Sequence, residues 1–331
     1  MCYLWDQNMR AIRYHKPGGS GKLQIDEINQ PEPGPNEVLV KTRAVSVNPV
    51  DLVIRNSSHT NHPKTIGSDI AGEVESIGDD VTTFQVGDRV FATGLHAGHF
   101  SRGSFADYVL IPIDLLSSLP KDVSFEHGAA IALVGVTAWR AFIHHTNINP
   151  GDTVLIHGGN GGVGHIAIQI ASLIGATVIA TSRRKHHSIL SDLGADYVFD
   201  YTSNDLGQEI KSNCNGVDVI LDSHPQQYIC LNTELLNLNG DIVIINGAET
   251  IIPDITSMRQ KEIDLHMMSM TNLVIHQNLP DIGSVLKEIG QLMSNSQLTV
   301  RIHREYSLES ADEAYSFLQE NSVLGKVVVK P

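Results

Sequence analysis

Apolar and polar positions along this chain follow two kinds of pattern. In the first third, short runs rich in β-branched residues lie between turns rich in proline and glycine, which predicts a β-rich region. In the middle, strand-like apolar runs alternate with segments of helical spacing, which predicts a parallel sheet with helices on both faces. The predicted elements are the strands Met9–Ile12, Val38–Ala44, Ile70–Ile77, Arg89–Ala92, Phe105–Ile111, Val154–Ile156, Thr177–Thr181, Tyr197–Phe199, Val217–Leu221, Asp241–Asn246, Leu265–Met270 and Lys326–Lys330, and the helix Leu308–Leu318.

These patterns predict an α/β fold in two domains. The simplest arrangement is a β-rich domain assembled from both chain ends, residues 1–125 and 272–331, with a nucleotide-binding domain of residues 126–271 inserted. We expect the substrate in the cleft between these domains, where concave ligand sites commonly form.

The densest cluster of glycines follows the strand Val154–Ile156. Gly158, Gly161 and Gly164 form a G-x-x-G-x-x-G turn, and apolar residues at helical spacing and the strand Thr177–Thr181 come next. Strand, glycine turn, helix and strand in this order form the first unit of a Rossmann-type, doubly wound dinucleotide-binding sheet, in which the start of the helix offers free N–H groups to a pyrophosphate. The alternative is a turn with a purely structural role.

The residues after the second of these strands indicate which dinucleotide binds. In NAD-selective sites a carboxylate at this point accepts hydrogen bonds from the ribose 2′-hydroxyl, but here the strand continues into Ser182-Arg183-Arg184-Lys185. Hydroxyl and guanidinium groups bind a 2′-phosphate, which a carboxylate would repel. The segment therefore predicts NADP(H). The alternative is a solvated basic loop, although three adjacent cations are unusual in a chain with a net charge of −14.

Composition narrows the class of protein further. The chain has 331 residues, of which 41% are hydrophobic, enough for two domains with cores of their own. The acidic balance argues against a nucleic-acid partner or an anionic membrane surface, and we expect neither a membrane span nor a signal peptide. Three scattered cysteines exclude a disulfide framework and fit the cytoplasm. Residues 1–8 resemble an extension that precedes a start at Met9.

The order of short motifs along the chain resembles that of the medium-chain dehydrogenase/reductase superfamily, and in particular its zinc-free quinone oxidoreductase branch, which includes the ζ-crystallins. The resemblance extends from about Met9 to Pro331. No single motif is decisive, but their order is specific. The motifs are Pro33–Val40, Val47–Asp51, Gly67–Val74, Val86–Val90, Gly103–Tyr108, the glycine turn, Leu193–Asp196 and Gly325–Val329.

This resemblance implies a GroES-like catalytic domain around the inserted Rossmann-type domain, and hydride transfer from NADPH to a small electrophilic acceptor such as a quinone or an enone. It implies a catalytic site of Asn48, Asp51 and Arg55, in which Asn48 would bond a carbonyl or carboxamide group and Asp51 would organise water for reprotonation. An Asx turn at the start of the helix after Val38–Ala44 is the structural alternative for Asn48 and Asp51. Relatives often carry a Tyr where this chain has Val53, so one candidate proton donor is missing.

The resemblance also bears on zinc. Zinc-dependent relatives carry a Cys in the segment that here begins at Asn48, and a His-Glu pair where this chain has Ser68-Asp69. A catalytic zinc needs three protein ligands of N, S or carboxylate type, so we expect no metal. The alternative is a metal site formed by two histidine pairs with H-x-x-H spacing, His59 with His62 and His96 with His99.

For the cofactor, the resemblance implies contacts from several segments, with packing as the alternative for Thr137. The segment Asp222-Ser223-His224-Pro225 departs from the Val-Gly of relatives, which leaves its cofactor contacts open, and we expect His157 to pack beside the turn. The implied cofactor-binding residues are Thr137 at the domain junction; Gly158, Asn160, Gly161, Gly162, Val163 and Gly164 in the turn; Ser182, Arg183 and Lys185 at the 2′-phosphate; Tyr201 near a ribose or phosphate; and Asn246, Gly247 and Ala248 facing the nicotinamide.

These inferences favour an NADPH-dependent quinone or enone reductase. Two alternatives stay open: an enoyl- or acryloyl-CoA reductase of the same superfamily, and an NADPH-binding protein with little turnover, like the crystallins recruited from this family. A zinc alcohol dehydrogenase is the least favoured. Because relatives usually pair through the edge of the nucleotide-binding sheet, we expect a homodimer formed around Leu265–Met270.

Overall fold

The structure is a computed structural model and describes residues 8–16, 22–56, 63–95, 102–246, 255–275 and 281–331. Its strands are β1 (Asn8–Tyr14), β2 (Gln24–Asn29), β3 (Glu37–Ser46), β4 (Lys64–Thr65), β5 (Asp69–Ile77), β6 (Arg89–Ala92), β7 (Tyr108–Pro112), β8 (Leu116–Ser118), β9 (Thr153–Ile156), β10 (Thr177–Ser182), β11 (Tyr197–Asp200), β12 (Val217–Asp222), β13 (Leu236–Ile244), β14 (Asp264–Met267), β15 (Ile302–Ser307) and β16 (Lys326–Lys330). Its helices are α1 (Pro49–Asn56), α2 (Phe125–Trp139), α3 (Gly162–Ile174), α4 (His187–Asp192), α5 (Leu206–Asn213), α6 (Pro225–Leu235), α7 (Ile255–Gln260), α8 (Thr271–Ile275), α9 (Ile282–Ser294) and α10 (Ala311–Glu320). A π-helical segment, Arg140–His145, continues α2.

The chain divides into two compact units. Unit 1 consists of Met1–Val136 and Met270–Pro331, and unit 2 consists of Thr137–Ser269. Both ends of the chain thus contribute to unit 1, and unit 2 is inserted between them in the sequence. The division falls near the end of α2, whereas the inserted domain predicted above begins at residue 126, in the first turn of that helix.

Unit 1 is organised around a sheet in the order β15-β16-β3-β5-β6-β8, in which β3 also pairs with β7. A smaller sheet has the order β2-β1-β4. Ser46, the last residue of β3, pairs with Asp69 of β5 and with Val328 of β16. The next residue of β5, Ile70, pairs with Ala92 of β6. These registers bring β16, β3, β5 and β6 side by side in the interior of unit 1.

Unit 2 contains a six-stranded sheet in the order β11-β10-β9-β12-β13-β14, and every pairing in it is parallel. This strand order is that of the Rossmann fold. The residues Val154, Leu155 and Ile156 of β9 are fully buried, as expected for a strand covered on both faces. The carboxyl ends of β9, β10 and β12 lie at one edge of the sheet, where such sheets bind nucleotides. The predicted α/β fold, a Rossmann-type sheet inserted in a GroES-like unit, is confirmed.

The ends of some predicted strands are wrong. The prediction that a strand begins at Phe105 is wrong, since β7 begins only at Tyr108, where the chain starts to pair with β3. Phe105 instead contacts β1, because its carbonyl oxygen accepts a hydrogen bond from Ile12 N (2.8 Å). Strand β13 begins already at Leu236 and ends before Asn246. Strands such as β2 and β15 were not predicted because their side chains are mostly exposed or half-buried and show no apolar pattern.

Candidate functional site

The glycine turn joins β9 to α3 at the carboxyl edge of the sheet in unit 2. Gly158 has a φ of +71°, in the left-handed region that favours glycine. At Gly164, a Cβ atom would lie 2.3 Å from Gly158 O, so any side chain there would force the turn open. Helix α3 begins after Gly161, and the N–H groups of its first turn point out of the helix end. The turn therefore has the geometry that binds phosphate groups in sheets of this kind.

A hydrogen-bonded network beneath the turn holds it against the sheet. Gly159 N donates to Thr181 O (2.8 Å), and Gly158 N donates to Thr181 Oγ1 (3.3 Å). The ring of His157 contacts Thr181 Oγ1 through Nδ1 (3.2 Å) and Asn232 Oδ1 through Nε2 (2.8 Å). Because an amide oxygen can only accept, Nε2 carries the ring proton and Nδ1 accepts from the threonine hydroxyl. The network thus selects one tautomer of His157.

His157 has a structural role. Its ring stacks on Tyr228, with ring centroids 4.0 Å apart, and it is buried. Burial lowers the pKa of His157 to about 4, so the ring is neutral at neutral pH. The prediction that His157 packs beside the turn is confirmed. Sequence reasoning missed its partner Asn232, an amide on the buried face of α6 that also donates to Asp222 Oδ2 (2.7 Å).

The residues at the ends of β10 and β11 lie side by side. Tyr201 N donates to Ser182 O (3.3 Å), and Arg183 Nε donates to Tyr201 Oη (2.7 Å). This pair orients a guanidinium and a phenol together, and Lys185 is exposed two residues further on. Ser182 itself is buried, and its hydroxyl donates to Arg183 O (3.2 Å), so that hydroxyl faces the backbone.

A carboxylate that sequence reasoning missed lies at the end of β11. Asp200 Oδ1 accepts hydrogen bonds from Thr202 N (2.9 Å) and Thr202 Oγ1 (2.7 Å), and Oδ2 accepts from Arg184 N (3.2 Å). The bonds from Thr202 lower the pKa of Asp200, so it is charged at neutral pH and fixes the backbone of the basic segment. A groove of about 510 Å³ opens beside it, lined by Arg184, His187, Asp200, Thr202 and Glu209 among others.

The segment that departs from the pattern of relatives lies next to the glycine turn. A Cβ atom at Gly158 would lie 3.2 Å from Ser223 Oγ and 3.7 Å from His224 Cε1. The hydroxyl of Ser223 and His224 Nδ1 are 2.8 Å apart. Polar side chains therefore line the turn on the side of β12.

The other predicted cofactor residues lie in three places. Asn160, Gly162 and Val163 are half-buried in the turn and at the start of α3. Thr137 lies in the last turn of α2 and is buried. Asn246 is exposed two residues after β13, whereas Gly247 and Ala248 lie outside the described residues.

The candidate catalytic residues of unit 1 lie at the start of α1. Asn48 N donates to Asp51 Oδ2 (2.9 Å), and Asp51 N donates to Asn48 O (3.1 Å). The side chain of Asp51 therefore caps the start of the helix as in a capping box, a structural role that differs in geometry from the Asx turn given above as the alternative. Arg55 follows one turn later and is also buried, whereas Val53 is 61% exposed.

The side chain of Asn48 is bonded at both ends. Its Nδ2 donates to Asp69 Oδ2 (2.8 Å), and its Oδ1 accepts a hydrogen bond from Lys326 Nζ. Asn48 is 1% exposed. Both ends of its amide are thus bonded to other side chains of the protein. A hydrogen bond to a substrate carbonyl would require an NH₂ group that is free to donate.

Asp69 and Lys326 form a buried ion pair. Asp69 Oδ2 and Lys326 Nζ are 3.8 Å apart, and neither side chain is more than 4% exposed. The hydroxyl of Ser46 donates to Asp69 Oδ2 (2.6 Å), and that of Thr93 donates to Asp69 Oδ1 (2.6 Å). A buried charge needs this degree of compensation, because removing it from water costs several kcal/mol.

Asp51 lies in different surroundings from Asp69. Its Oδ2 accepts a second hydrogen bond, from the hydroxyl of Tyr315 on α10 (2.9 Å), whereas its Oδ1 is buried with no hydrogen-bond partner in the described part of the chain. Burial, and after it the charge of Asp69, raise the pKa of Asp51 to about 7. Burial also raises the pKa of Tyr315 well above its usual range, so Tyr315 stays a donor. Asp51 therefore exchanges a proton near neutral pH.

Sequence reasoning did not identify Asp69, Tyr315 or Lys326 as members of this cluster. Two signals were available. Lys326 directly precedes the apolar run Val327–Val329, and Tyr315 follows Ala314 on the buried face of α10. Because a buried cation requires an anion, Lys326 leads to Asp69, the acidic residue that precedes the apolar pair Ile70-Ala71 at the start of β5.

Within the described residues, no three His, Cys, Asp or Glu side chains are grouped to hold a metal ion. The histidine pairs of the alternative metal site, His59 with His62 and His96 with His99, lie outside those residues. In the described helices, the combination of length and apolar character needed to cross a membrane does not occur.

Known proteins match nearly the whole chain. The family model described as an alcohol dehydrogenase GroES-like domain matches residues 34–121, and the model described as a zinc-binding dehydrogenase matches residues 193–329. Human quinone oxidoreductase is 30% identical over 332 residues, which cover 97% of this chain and 97% of the human protein.

Solved structures agree in fold. The quinone oxidoreductase from Coxiella burnetii superposes with a TM-score of 0.83 at 29% identity, covering 98% of this chain and 100% of that one. A mycobacterial protein in complex with NADPH has a TM-score of 0.86 at 28% identity, again covering 98% and 100% of the two chains. The chain therefore belongs to the medium-chain dehydrogenase/reductase superfamily of oxidoreductases, in its quinone oxidoreductase branch.

Proposed function

We propose that this protein is a zinc-independent reductase that binds NADPH through unit 2 and reduces a quinone or an enone. The observation that carries the proposal is the glycine turn of unit 2 beside the Arg183–Tyr201 pair. The relatives named quinone oxidoreductase and the relative in complex with NADPH support it.

The residues of unit 2 fit a dinucleotide with a 2′-phosphate. The concave turn at Gly164 has no room for even one Cβ atom, and the start of α3 offers its N–H groups to a pyrophosphate. Arg183, Lys185 and Tyr201 would hold the 2′-phosphate, because all three donate hydrogen bonds and two carry positive charge. When bound, NADPH supplies a hydride from its nicotinamide ring.

The cluster of unit 1 supports a reaction without zinc. Zinc-dependent relatives carry a Cys within the segment that here is Asn48–Asp51 and a His-Glu pair where this chain has Ser68-Asp69, and the ammonium group of Lys326 contacts Asn48 Oδ1. This buried ammonium would repel a divalent cation placed among these side chains, since charges interact strongly where water is excluded. The zinc-binding dehydrogenase model matches only residues 193–329, which include neither Asn48 nor Ser68.

A reductase that works without a Lewis acid needs an electron-poor acceptor. Hydride addition to a quinone or an enone gives a resonance-stabilised anion, whereas alcohol oxidation profits from a metal that lowers the pKa of the hydroxyl group. Asp51, with a pKa of about 7, is suited to returning a proton to that anion. We assign Arg55 to the same site because it follows Asp51 one turn later on the buried side of α1.

We also propose that the protein is a homodimer formed along β14. This strand is an edge of the sheet in unit 2, and its Leu265 and Met267 are 39% and 67% exposed. An exposed strand edge with apolar side chains favours pairing with another chain. Location in the cytoplasm stays a prediction from the cysteine content.

The test follows the oxidation of NADPH and NADH, after bound metal has been measured. Benzoquinone, an enone and acryloyl-CoA are offered in turn, and we expect NADPH to be oxidised fastest with the quinone or the enone. Stoichiometric zinc or a preference for NADH would overturn the proposal. Acryloyl-CoA as the best acceptor would favour the CoA reductase, and no turnover with any acceptor would favour a binding protein.

A further inference from the structure

The register of unit 1 places opposite charges face to face in its interior. Ser46, at the end of β3, pairs with Asp69 and with Val328. Because β3 and β16 are antiparallel, Asn48 and Lys326 lie opposite each other just beyond the last pair. The pairing of these strands thus places the amide of Asn48, the carboxylate of Asp69 and the ammonium group of Lys326 next to one another.

The bonds at this point permit one arrangement of the Asn48 amide. Lys326 Nζ donates to Val47 O (2.8 Å) and to Asn48 Oδ1, and it lies 3.8 Å from Asp69 Oδ2. The Nδ2 group of Asn48 donates to that same carboxylate (2.8 Å). Turning the amide over would place its oxygen against Asp69 and its NH₂ group against Lys326, so both attractions would become repulsions.

The same ion pair sets the charge of Asp51. The ionisable groups that face Asp51 are Asp69 from β5, Lys326 from β16 and Tyr315 from α10. Arg55, a buried cation on the same helix as Asp51, lowers the pKa of Tyr315 through its charge. The two buried carboxylates repel each other, and this repulsion favours uptake of one proton by the pair even though Lys326 and the buried Arg55 are cations.

Of the two carboxyl groups, Asp51 is the one that takes the proton. Burial raises the pKa of Asp69, but Lys326 and the hydrogen bonds from Ser46, Thr93 and Asn48 oppose this rise. Asp51 has donors on Oδ2 alone, while its buried Oδ1 has none among the described residues. The charged form of Asp51 is therefore the less well compensated of the two.

We propose that Lys326 and Asp69 are positioning residues of the candidate site, an internal ion pair that fixes the amide of Asn48 and determines whether Asp51 carries a proton. The inference rests on the proposed function only in assigning this cluster to a reductase. The charge of Asp51 is measurable in the protein without cofactor or acceptor.

The test is a pH titration of the Asp51 carboxyl group by carbon NMR of the full chain, with Asp51→Asn identifying its resonance. In the unsubstituted protein we expect a midpoint of about 7. Lys326→Met removes the cation and keeps most of the side-chain length, so the midpoint should rise by about one pH unit. Asp69→Asn removes the like charge in a side chain of equal size, so the midpoint should fall by about one pH unit.

Lys330→Met is the matched control. Lys330 ends the same strand, is half-exposed and bonds Glu305 (2.6 Å), so its removal should leave the midpoint unchanged. A higher midpoint in Lys326→Met and a lower midpoint in Asp69→Asn support the proposal. Midpoints that stay unchanged, or that shift in the same direction in both variants, overturn it. If Lys326→Met does not fold, Asp69→Asn decides, together with Lys326→Arg, which keeps the charge and should titrate near the unsubstituted midpoint.

Turnover separates positioning from a general loss of structure. We expect the pH profile of kcat to move with the Asp51 midpoint in each variant, while the Kd for NADPH, measured by fluorescence, stays constant because the glycine turn belongs to unit 2. Loss of NADPH binding in both variants would overturn the positioning role. If the unsubstituted protein reduces no acceptor, the proposed function fails, but the carboxyl titration still decides this inference.

Discussion

At the scale of single residues, the glycine turn has no room for a side chain at Gly164. In Gly164→Ala the new Cβ atom would lie 2.3 Å from Gly158 O, so the turn must open. We expect Gly164→Ala to weaken NADPH binding by at least about tenfold, measured by the fluorescence of bound NADPH. The control is Gly290→Ala in α9, where the new methyl group would lie at an ordinary 3.4 Å from Pro120 Cδ. Equal affinity in Gly164→Ala and the unsubstituted protein would contradict a phosphate-binding turn.

The Arg183 guanidinium is the residue on which the preference for NADPH depends. Arg183→Gln removes a positive charge that the bond to Tyr201 holds in place (2.7 Å). We expect the Kd for NADPH to rise about 10- to 100-fold, the range for losing a hydrogen bond to a charged group, with little change for NADH. Arg184→Gln makes the same change in charge one position further on and should have the smaller effect. Equal weakening of both cofactors by Arg183→Gln would place this guanidinium away from the 2′-phosphate.

Two buried residues give the stability of the protein opposite dependences on pH. The pKa of His157 falls from 6.5 to about 4 on folding, so the folded state binds fewer protons and loses stability as the pH falls through that range. The pKa of Asp51 rises from 3.8 to about 7, so the folded state binds more protons and loses stability as the pH rises through that range.

Substitution of either residue should therefore change how the free energy of unfolding depends on pH. Between about pH 5 and pH 6, we expect His157→Gln to gain stability relative to the unsubstituted protein as the pH falls, and Asp51→Asn to gain it as the pH rises. Each slope should approach about 1.4 kcal/mol per pH unit. Urea unfolding at several pH values measures both, with exposed His303→Gln as the control. Parallel profiles for all variants would contradict the assigned charges.

At the scale of elements, one buried hydrogen bond links α10 to α1. The hydroxyl of Tyr315 donates to Asp51 Oδ2 (2.9 Å) and lowers the pKa of that carboxyl group. We expect Tyr315→Phe to lower the free energy of unfolding by about 1–2 kcal/mol and to raise the Asp51 midpoint, measured by urea unfolding and carbon NMR. Tyr306→Phe in β15 removes a hydroxyl from a half-exposed ring and should change neither quantity. An unchanged midpoint in Tyr315→Phe would show that this bond is absent in solution.

The elements that the sequence predicts well are those buried on both faces. Strand β9 contains the continuous apolar run Val154–Ile156, and β12 contains Val219–Leu221, so their positions are visible in the sequence. Strand β2 is not visible because four of its six residues are exposed and the other two are half-buried. In the candidate site, Asn48 and Asp51 stand three residues apart within one motif, so local reasoning reaches them. Lys326 is 278 positions from Asn48, and only the pairing of β16 with β3 brings it there.

At the scale of the whole molecule, the inserted unit separates the two halves of the unit 1 cluster along the chain. Asn48, Asp51 and Asp69 precede unit 2, whereas Tyr315 and Lys326 follow it. The ion pair of Asp69 and Lys326 therefore forms only when β16, the last strand of the chain, has paired with β3. Pairing at so long a sequence separation is slow in folding proteins, so we infer that this charge cluster is completed late.

The edge of the sheet in unit 2 carries the last prediction, because it determines whether the protein is a dimer. Met267 of β14 is 67% exposed at a strand edge that no other strand of the described residues pairs with. If two chains pair there, Met267→Glu buries an uncompensated charge in each half of the interface and should weaken dimerisation by at least about 100-fold, measured by sedimentation. Val86→Glu, at an equally exposed site of unit 1 (65%), should leave the dimer intact. A monomeric unsubstituted protein, or a dimer that Met267→Glu leaves unchanged, would show that this edge is not the interface.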